Sequence, residues 1–182
     1  MNILNKNNKI GILSPSGRVC REDVSFALET LQSWGFEPIF GKNCFHSYGC
    51  FSDTPENRKS DLQAMLDSSE IRTIFCTRGG YGLAQIINDL NFDLFKKNPK
   101  TIIGYSDITV LHSAVSQLGI PSVHAPMLRN FSSTPTDILN NIHQILVGEF
   151  PSYCIASHEL NRQGEAKGKI VGGNLSVLFG LR

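Results

Sequence analysis

The sequence predicts an α/β protein built on an open, doubly wound parallel sheet flanked by helices. Three observations lead there. Short apolar runs alternate with segments of helical periodicity through five consecutive strand–helix units. The connections are short, and a helix lying between two strands makes those strands parallel neighbours. Four of the five expected strand ends then run into polar or Gly-rich sequence, at residues 14–17, 78–82, 105–107 and 124–126. The carboxyl edge of a parallel sheet is where such folds keep their ligands.

The elements follow in order. Residues 9–13 (KIGIL) form an apolar run that ends in Ser14-Pro15-Ser16-Gly17, turn chemistry after a strand. Val24, Leu28, Leu31 and Trp34 recur at helical spacing, and Gly35 sits where a helix stops. Residues 37–40 read as a second strand, followed by a loop over residues 41–52. Asp53 or Thr54 caps the next helix, with Pro55 in its first turn and Leu62, Met65 and Leu66 facing inward. Residues 71–76 (IRTIFC) are strand-like and run into Arg78-Gly79-Gly80-Tyr81-Gly82, after which Leu83, Ile86, Ile87 and Leu90 predict a helix. Residues 101–104 form another strand, breaking at Tyr105-Ser106-Asp107, and residues 108–118 have helical periodicity. Residues 122–124 begin a fifth strand that stops at Ala125-Pro126, and residues 137–147 read as its helix.

After Gly148 the pattern changes. Residues 1–150 are expected to form the α/β domain, 151–168 a polar linker with a short strand-like stretch at 153–156, and 169–182 the beginning of a second domain. The 182 residues are 41% apolar and carry 17 basic against 16 acidic side chains, a net charge of +1. That is enough apolar material for a core, which excludes disorder as a class. A near-neutral chain lacks the concentrated positive field that nucleic acid or an anionic membrane surface requires, so neither is expected as a partner. No apolar run approaches the ~18 residues of a membrane span, and residues 1–9 lack the apolar centre of a secretory signal. A cytoplasmic protein is expected. Cys20, Cys44, Cys50, Cys76 and Cys154 are an odd set without a Cys-x-x-Cys pair, which fits thiols packed as small apolar residues. Cys44, His46 and Cys50 share one loop, a weak hint of metal binding.

The chemistry concentrates at the strand ends. A Ser on a strand-to-helix turn, as in Gly104-Tyr105-Ser106-Asp107, can project its hydroxyl from the sheet top beside amides able to hold an oxyanion. The same residues serve as a plain helix cap, and spacing leaves both readings open. Arg78 with Gly79, Gly80 and Gly82 combines a guanidinium suited to a carboxylate or phosphate with backbone that a ligand can approach. It lacks both the dinucleotide fingerprint and the P-loop lysine. A serine nucleophile needs a base. Among His46, His112, His124, His143 and His158, only His124 lies at the same edge, where a packing role competes with a catalytic one; the position of His112 along its helix points it elsewhere.

Taken together, the run Asp53–Asp61, Arg78-Gly79-Gly80-Tyr81-Gly82, Pro99-Lys100, Gly104-Tyr105-Ser106-Asp107-Ile108-Thr109, His112, His124-Ala125-Pro126-Met127 and Gly172-Gly173-Asn174-Leu175 resemble the LD-carboxypeptidases, the muramoyltetrapeptide carboxypeptidases of bacterial cell-wall recycling. The resemblance runs from about residue 9 to 178. It implies a serine peptidase that removes the terminal D-Ala from a murein tetrapeptide, with no metal or organic cofactor, and a homodimer for the complete enzyme. Ser106 matches the nucleophile, and the Asp107 and Gly80 amides match the oxyanion hole. Arg78, Gly79, Tyr81 and His124 match substrate contacts. The resemblance places the partner Glu and His in a β-rich second domain, so neither is assigned here, and the 182-residue chain by itself is expected to be inactive. Ala125 stands where the family commonly has Gly. A related branch hydrolyses acylated nucleotides, and a catalytically dead, ligand-binding fragment is the non-enzymatic alternative.

Overall fold

Strands β1 (Lys9–Leu13), β2 (Glu37–Phe40), β3 (Thr73–Cys76), β4 (Thr101–Gly104) and β5 (Val123–His124) form one parallel sheet in the order β2-β1-β3-β4-β5. The structure is a computed structural model that describes residues 8–162 and 164–181. Met1 to Asn7, and with them most of the stretch expected to lack a secretory signal, lie outside the described residues, as do Gln163 of the expected linker and Arg182. The chain builds outward from β1 to β2, then crosses back to lay β3 on the other side of β1, so the connection direction reverses between β1 and β3. The register pairs Leu13 with Cys76 and Gly104 with His124, which brings the carboxyl ends of four strands to one edge.

Alternation along the strands divides the core into two layers. Ile10, Ile12, Phe75 and Ile103 face α1 (Ser25–Ser33) and α5 (Thr136–Leu146), where Ala27, Leu31, Leu139 and Ile142 meet them. Leu13, Ile74, Cys76 and Ile102 face the other way, toward α2 (Pro55–Asp67), α3 (Asp93–Lys97) and α4 (Thr109–Gln117). With both sheet faces covered, the strands are nearly continuous apolar runs. Thr54 is the cap of α2, its hydroxyl accepting the Asn57 N–H at 3.4 Å, and Pro55 takes the first helical position.

Three elements depart from the sequence reading. The stretch holding Leu83, Ile86, Ile87 and Leu90 is two single 3-10 turns, Leu83–Gln85 and Ile87–Asp89, rather than a helix; a true helix, α3, begins only at Asp93. Leu83 and Ile86 are buried, so the apolar spacing reported packing correctly and backbone geometry wrongly. The strand expected over 71–76 starts two residues later, and β5 is two residues long because Pro126 supplies no N–H to extend the ladder. Residues 153–156 join no ladder among the described residues and are exposed. Residues 169–181, expected to open a second domain, contain the short helix α6 (Leu175–Gly180), capped by Asn174 and resting on α4.

Of the thiols, Cys44 and Cys76 are buried and Cys20, Cys50 and Cys154 are exposed, so small-apolar packing describes two of the five. Burial pushes the Cys44 thiol up to about 11 and that of Cys76 higher still, leaving both protonated.

Candidate active site

Glycine-free left-handed backbone occurs once among the described residues, at Ser106, with φ of 62°. Tyr105 leaves β4 fully extended, and the chain reverses at Ser106 into a 3-10 turn that leads directly to α4. An L-residue held there stores strain that packing must offset, and a serine on such a bend stands proud of the sheet. The packing is visible. A methyl group on Gly79 would lie 3.1 Å from Ser106 Cβ and 3.3 Å from the Tyr105 carbonyl oxygen, so the turn after β3 presses directly on the bend. Gly104, the last residue of β4, would meet the Ile108 side chain at 2.8 Å.

Three strand-end loops converge on this point. Gly17, after β1, donates its N–H to the Gly79 carbonyl at 3.0 Å. The buried carboxylate of Asp107 accepts the Ser16 hydroxyl at 2.6 Å and the Leu83 N–H at 3.0 Å, tying the bend to both other loops. Gly80 arches outward with φ of 116°. The Asp107 amide lies ahead of the first intrahelical bond, where backbone N–H groups point out of the helix.

Gly79 lies against Ser106, and the Asp107 carboxylate reaches the Leu83 N–H just after the glycine-rich turn. Arg78 is half-buried and donates from Nη1 to the Arg18 carbonyl at 2.9 Å. Tyr81 is exposed, its ring 6.2 Å from that of Phe51. His124 is exposed at the end of β5, tilted against the Tyr105 ring at 6.1 Å and stacked on the His112 ring at 6.2 Å. Beside it a groove of about 440 Å³ runs along Tyr105, His124, Pro126, Asn130, Thr134 and Ile138. The Ala125 N–H extends the ladder to the Gly104 carbonyl at 3.2 Å.

The histidines bond to other groups. His112 does not point away from the sheet end: its Nε2 donates to the Gly104 carbonyl at 2.9 Å, while Nδ1 lies 2.8 Å from the Ser122 hydroxyl. Burial lowers its pKa, so the ring is a neutral strut under the bend. His46 pairs with Asp53 at 2.7 Å, His143 packs on Trp34, and His158 accepts a local N–H. No group of three His, Cys, Asp or Glu side chains among the described residues could hold a metal ion; Cys44 instead lies against Ser14.

Two residues of the site, Arg58 within the run 53–61 and Ser16 within the first strand-end turn, had no individual role in the sequence reading. Arg58, on α2, is 1% exposed and hydrogen-bonds loops after both β1 and β3. Ser16 bonds the Asp107 carboxylate. A buried arginine amid polar neighbours is invisible in helical periodicity, which registers only apolar side chains.

A strained serine beside a glycine-rich turn, at the carboxyl edge of a doubly wound sheet, has the backbone form that a nucleophile elbow requires. The chain belongs to the LD-carboxypeptidase family: residues 10–125 match its N-terminal domain. A probable murein peptide carboxypeptidase of Bacillus subtilis is 32% identical over 96% of this chain and 57% of its own length. The murein tetrapeptide carboxypeptidase of Pseudomonas aeruginosa is 26% identical over 94% and 59%. The chain thus spans somewhat more than half the length of these relatives. Among solved structures, a muramoyltetrapeptide carboxypeptidase from Oxalobacter formigenes superposes with a TM-score of 0.67 at 26% identity, over 75% of this chain and 47% of that one. The microcin C7 self-immunity protein MccF, in complex with aspartyl sulfamoyl adenosine, superposes at 0.82 over 98% of this chain and 64% of that one; at 23% identity it shares the fold.

Proposed function

We propose that this chain carries the nucleophile side of a serine LD-carboxypeptidase that removes the terminal D-Ala from murein tetrapeptides, after diaminopimelate or Lys, in peptidoglycan recycling. The observation that carries the reading is the left-handed Ser106 beside the Gly79–Gly80 turn. Ser106 Oγ attacks the carbonyl carbon of the L-to-D bond, and the developing oxyanion accepts the N–H groups of Asp107 and Gly80. Collapse expels D-Ala and leaves the peptide as an ester on Ser106, which water then hydrolyses. Arg78 matches a substrate carboxylate, with Gly79, Tyr81 and His124 flanking the peptide. On this reading the base that takes the Ser106 proton and returns it to the departing amine is the His of the family's second domain, oriented by its Glu; His46 and His112 are already engaged with Asp53 and with Ser122 and Gly104. The reading places the enzyme in the cytoplasm as a homodimer; no helix among the described residues is long and apolar enough to cross a membrane.

The test is release of free D-Ala from a murein tetrapeptide by the protein with both domains. Ser106→Ala should lower kcat by roughly 10⁴-fold or more. Release that survives the substitution rejects Ser106 as nucleophile. An acylated adenosine run alongside separates this reading from acyl-nucleotide hydrolysis, which an MccF-like neighbour from Bacillus anthracis (27% identity, TM-score 0.71) motivates.

A further inference from the structure

We propose that Arg58 is a positioning residue for the hydrolysis, acting as a buried clamp that holds the turn bearing the Gly80 amide; the inference rests on the reading of Ser106 and Gly80 above. Its guanidinium reaches four acceptors on three segments. Nε donates to the Asp53 carbonyl at 3.0 Å, Nη1 to the carbonyls of Pro15 and Gly82 at 2.9 Å each, and Nη2 to Gln85 Oε1 at 2.6 Å. Pro15 belongs to the loop after β1, and Gly82 to the turn after β3. The Phe51 ring closes the guanidinium face at 5.0 Å.

The turn is built around this cation. Gly82 sits at φ of 137°, and any side chain there would place its Cβ 2.5 Å from Arg58 Nη1, so the backbone has given up its side chain to let the guanidinium in. On the other side of Gly80, the Gly17 N–H holds the Gly79 carbonyl, and a Gly17 methyl would strike that oxygen at 2.6 Å. The turn is therefore pinned at Gly79 and at Gly82 to the same β1 loop, with Gly80 and Tyr81 spanning the interval between the two points. Asp107, through Ser16 and Leu83, fastens the bend to the same two loops. Burial works against the Arg58 charge, and the negative charges of Asp107 and Asp53 offset it. A planar fork with fixed donor directions sets distances that a flexible ammonium cannot reproduce.

The experiment compares wild type with Arg58→Lys in the protein with both domains, using D-Ala release for kcat and KM. A fluorophosphonate probe counts reactive Ser106, and amide exchange is followed over residues 14–17 and 78–85. Loosening the oxyanion turn should lower kcat per titrated serine by roughly 10²-fold with KM changed less than about threefold. Exchange over both segments should rise while that of α5 stays unchanged. Gln85→Ala, on the surface, removes one acceptor and should lower kcat a few-fold in the same pattern; it serves if Arg58→Lys does not fold. A kcat per titrated serine within about twofold of wild type, or unchanged exchange in the two loops, overturns the clamp. Hydrolysis that survives Ser106→Ala rejects the functional reading instead, and the exchange comparison still decides whether Arg58 holds the turn.

Discussion

The sheet layer and the segment after Gly148 contain the same kinds of side chain in opposite environments. Ile12, Phe75 and Ile103 are completely buried, whereas Ile155, Ile170 and Leu175 are 87%, 97% and 81% exposed. Hydrophobicity is common to both; what differs is whether the backbone has a neighbour. Each central strand has a ladder on both sides and a helix over each face, so a side chain of either parity is covered. The later segment touches the α/β layer at a few polar points. Lys169 Nζ donates to the Ser116 carbonyl at 3.3 Å, and the Asn174 N–H to Thr109 Oγ1 at 2.9 Å. Of the apolar residues there, Val177 packs against the core beside α4 while Ile155, Ile170 and Leu175 stay exposed, and topology accounts for the difference.

The sharpest way to break the comparison is paired truncation. Phe75→Ala should cost about 3–5 kcal/mol of unfolding free energy, since it opens a cavity where Ile12, Ile103 and Phe131 meet. Ile170→Ala should stay within about 0.5 kcal/mol. Urea titration of both variants measures the contrast, and equal losses would mean that the later segment packs into the same core. Intermediate in size is the hinge between the two regions. Gly173, at φ of 155°, would place a Cβ 2.5 Å from Thr109 Cγ2, so Gly173→Ala should cost about 1–3 kcal/mol and free the Asn174–Thr109 contact. Proteolysis within 164–175 should quicken with no change in the sheet helices.

The smallest expected effect depends on pH. Burial holds His112 below its ordinary value of 6.5, so the unfolded chain binds the proton more readily than the folded one. The stability contributed by the neutral ring is fully present above about pH 6.5 and is lost as pH falls. Thermal melts at neutral and mildly acidic pH should show the wild-type Tm dropping further than that of His112→Gln, whose amide keeps a donor for the Gly104 carbonyl. Parallel drops would remove His112 from the acid sensitivity.

Legibility from sequence followed the same divide. The parallel sheet, the α2 cap at Asp53 or Thr54 and the gathering of residues 14–17, 78–82 and 105–107 at one sheet edge were readable because strand–helix alternation dictates parallel strands and turn residues mark strand ends; the order of the strands was not. The helix expected through Leu83–Leu90 failed because apolar residues three apart satisfy a 3-10 turn as well as an α-helix. The hydrogen-bond partners of Arg58 and Ser16 were not legible, because Pro15, Gly82, Gln85 and Asp107 lie 24 to 91 residues from them in the chain. His112 looked misdirected until its ring was seen to reach back eight residues to the end of β4.

By itself, the sequence determined where strands, helices and turns lie, that the sheet is parallel, and that Ser106 falls on a strand-to-helix bend beside a glycine-rich turn. Periodicity and turn chemistry are local, and local chemistry is written in consecutive residues. Tertiary structure alone decided that the bend is strained into left-handed backbone, that Asp107 and Arg58 lace three loops together, and that His112 commits its ring to the Gly104 carbonyl and Ser122. Those outcomes depend on which buried polar groups find partners across the fold. Burial makes each partner obligatory, because an unpaired donor or charge in the interior costs more than most contacts return.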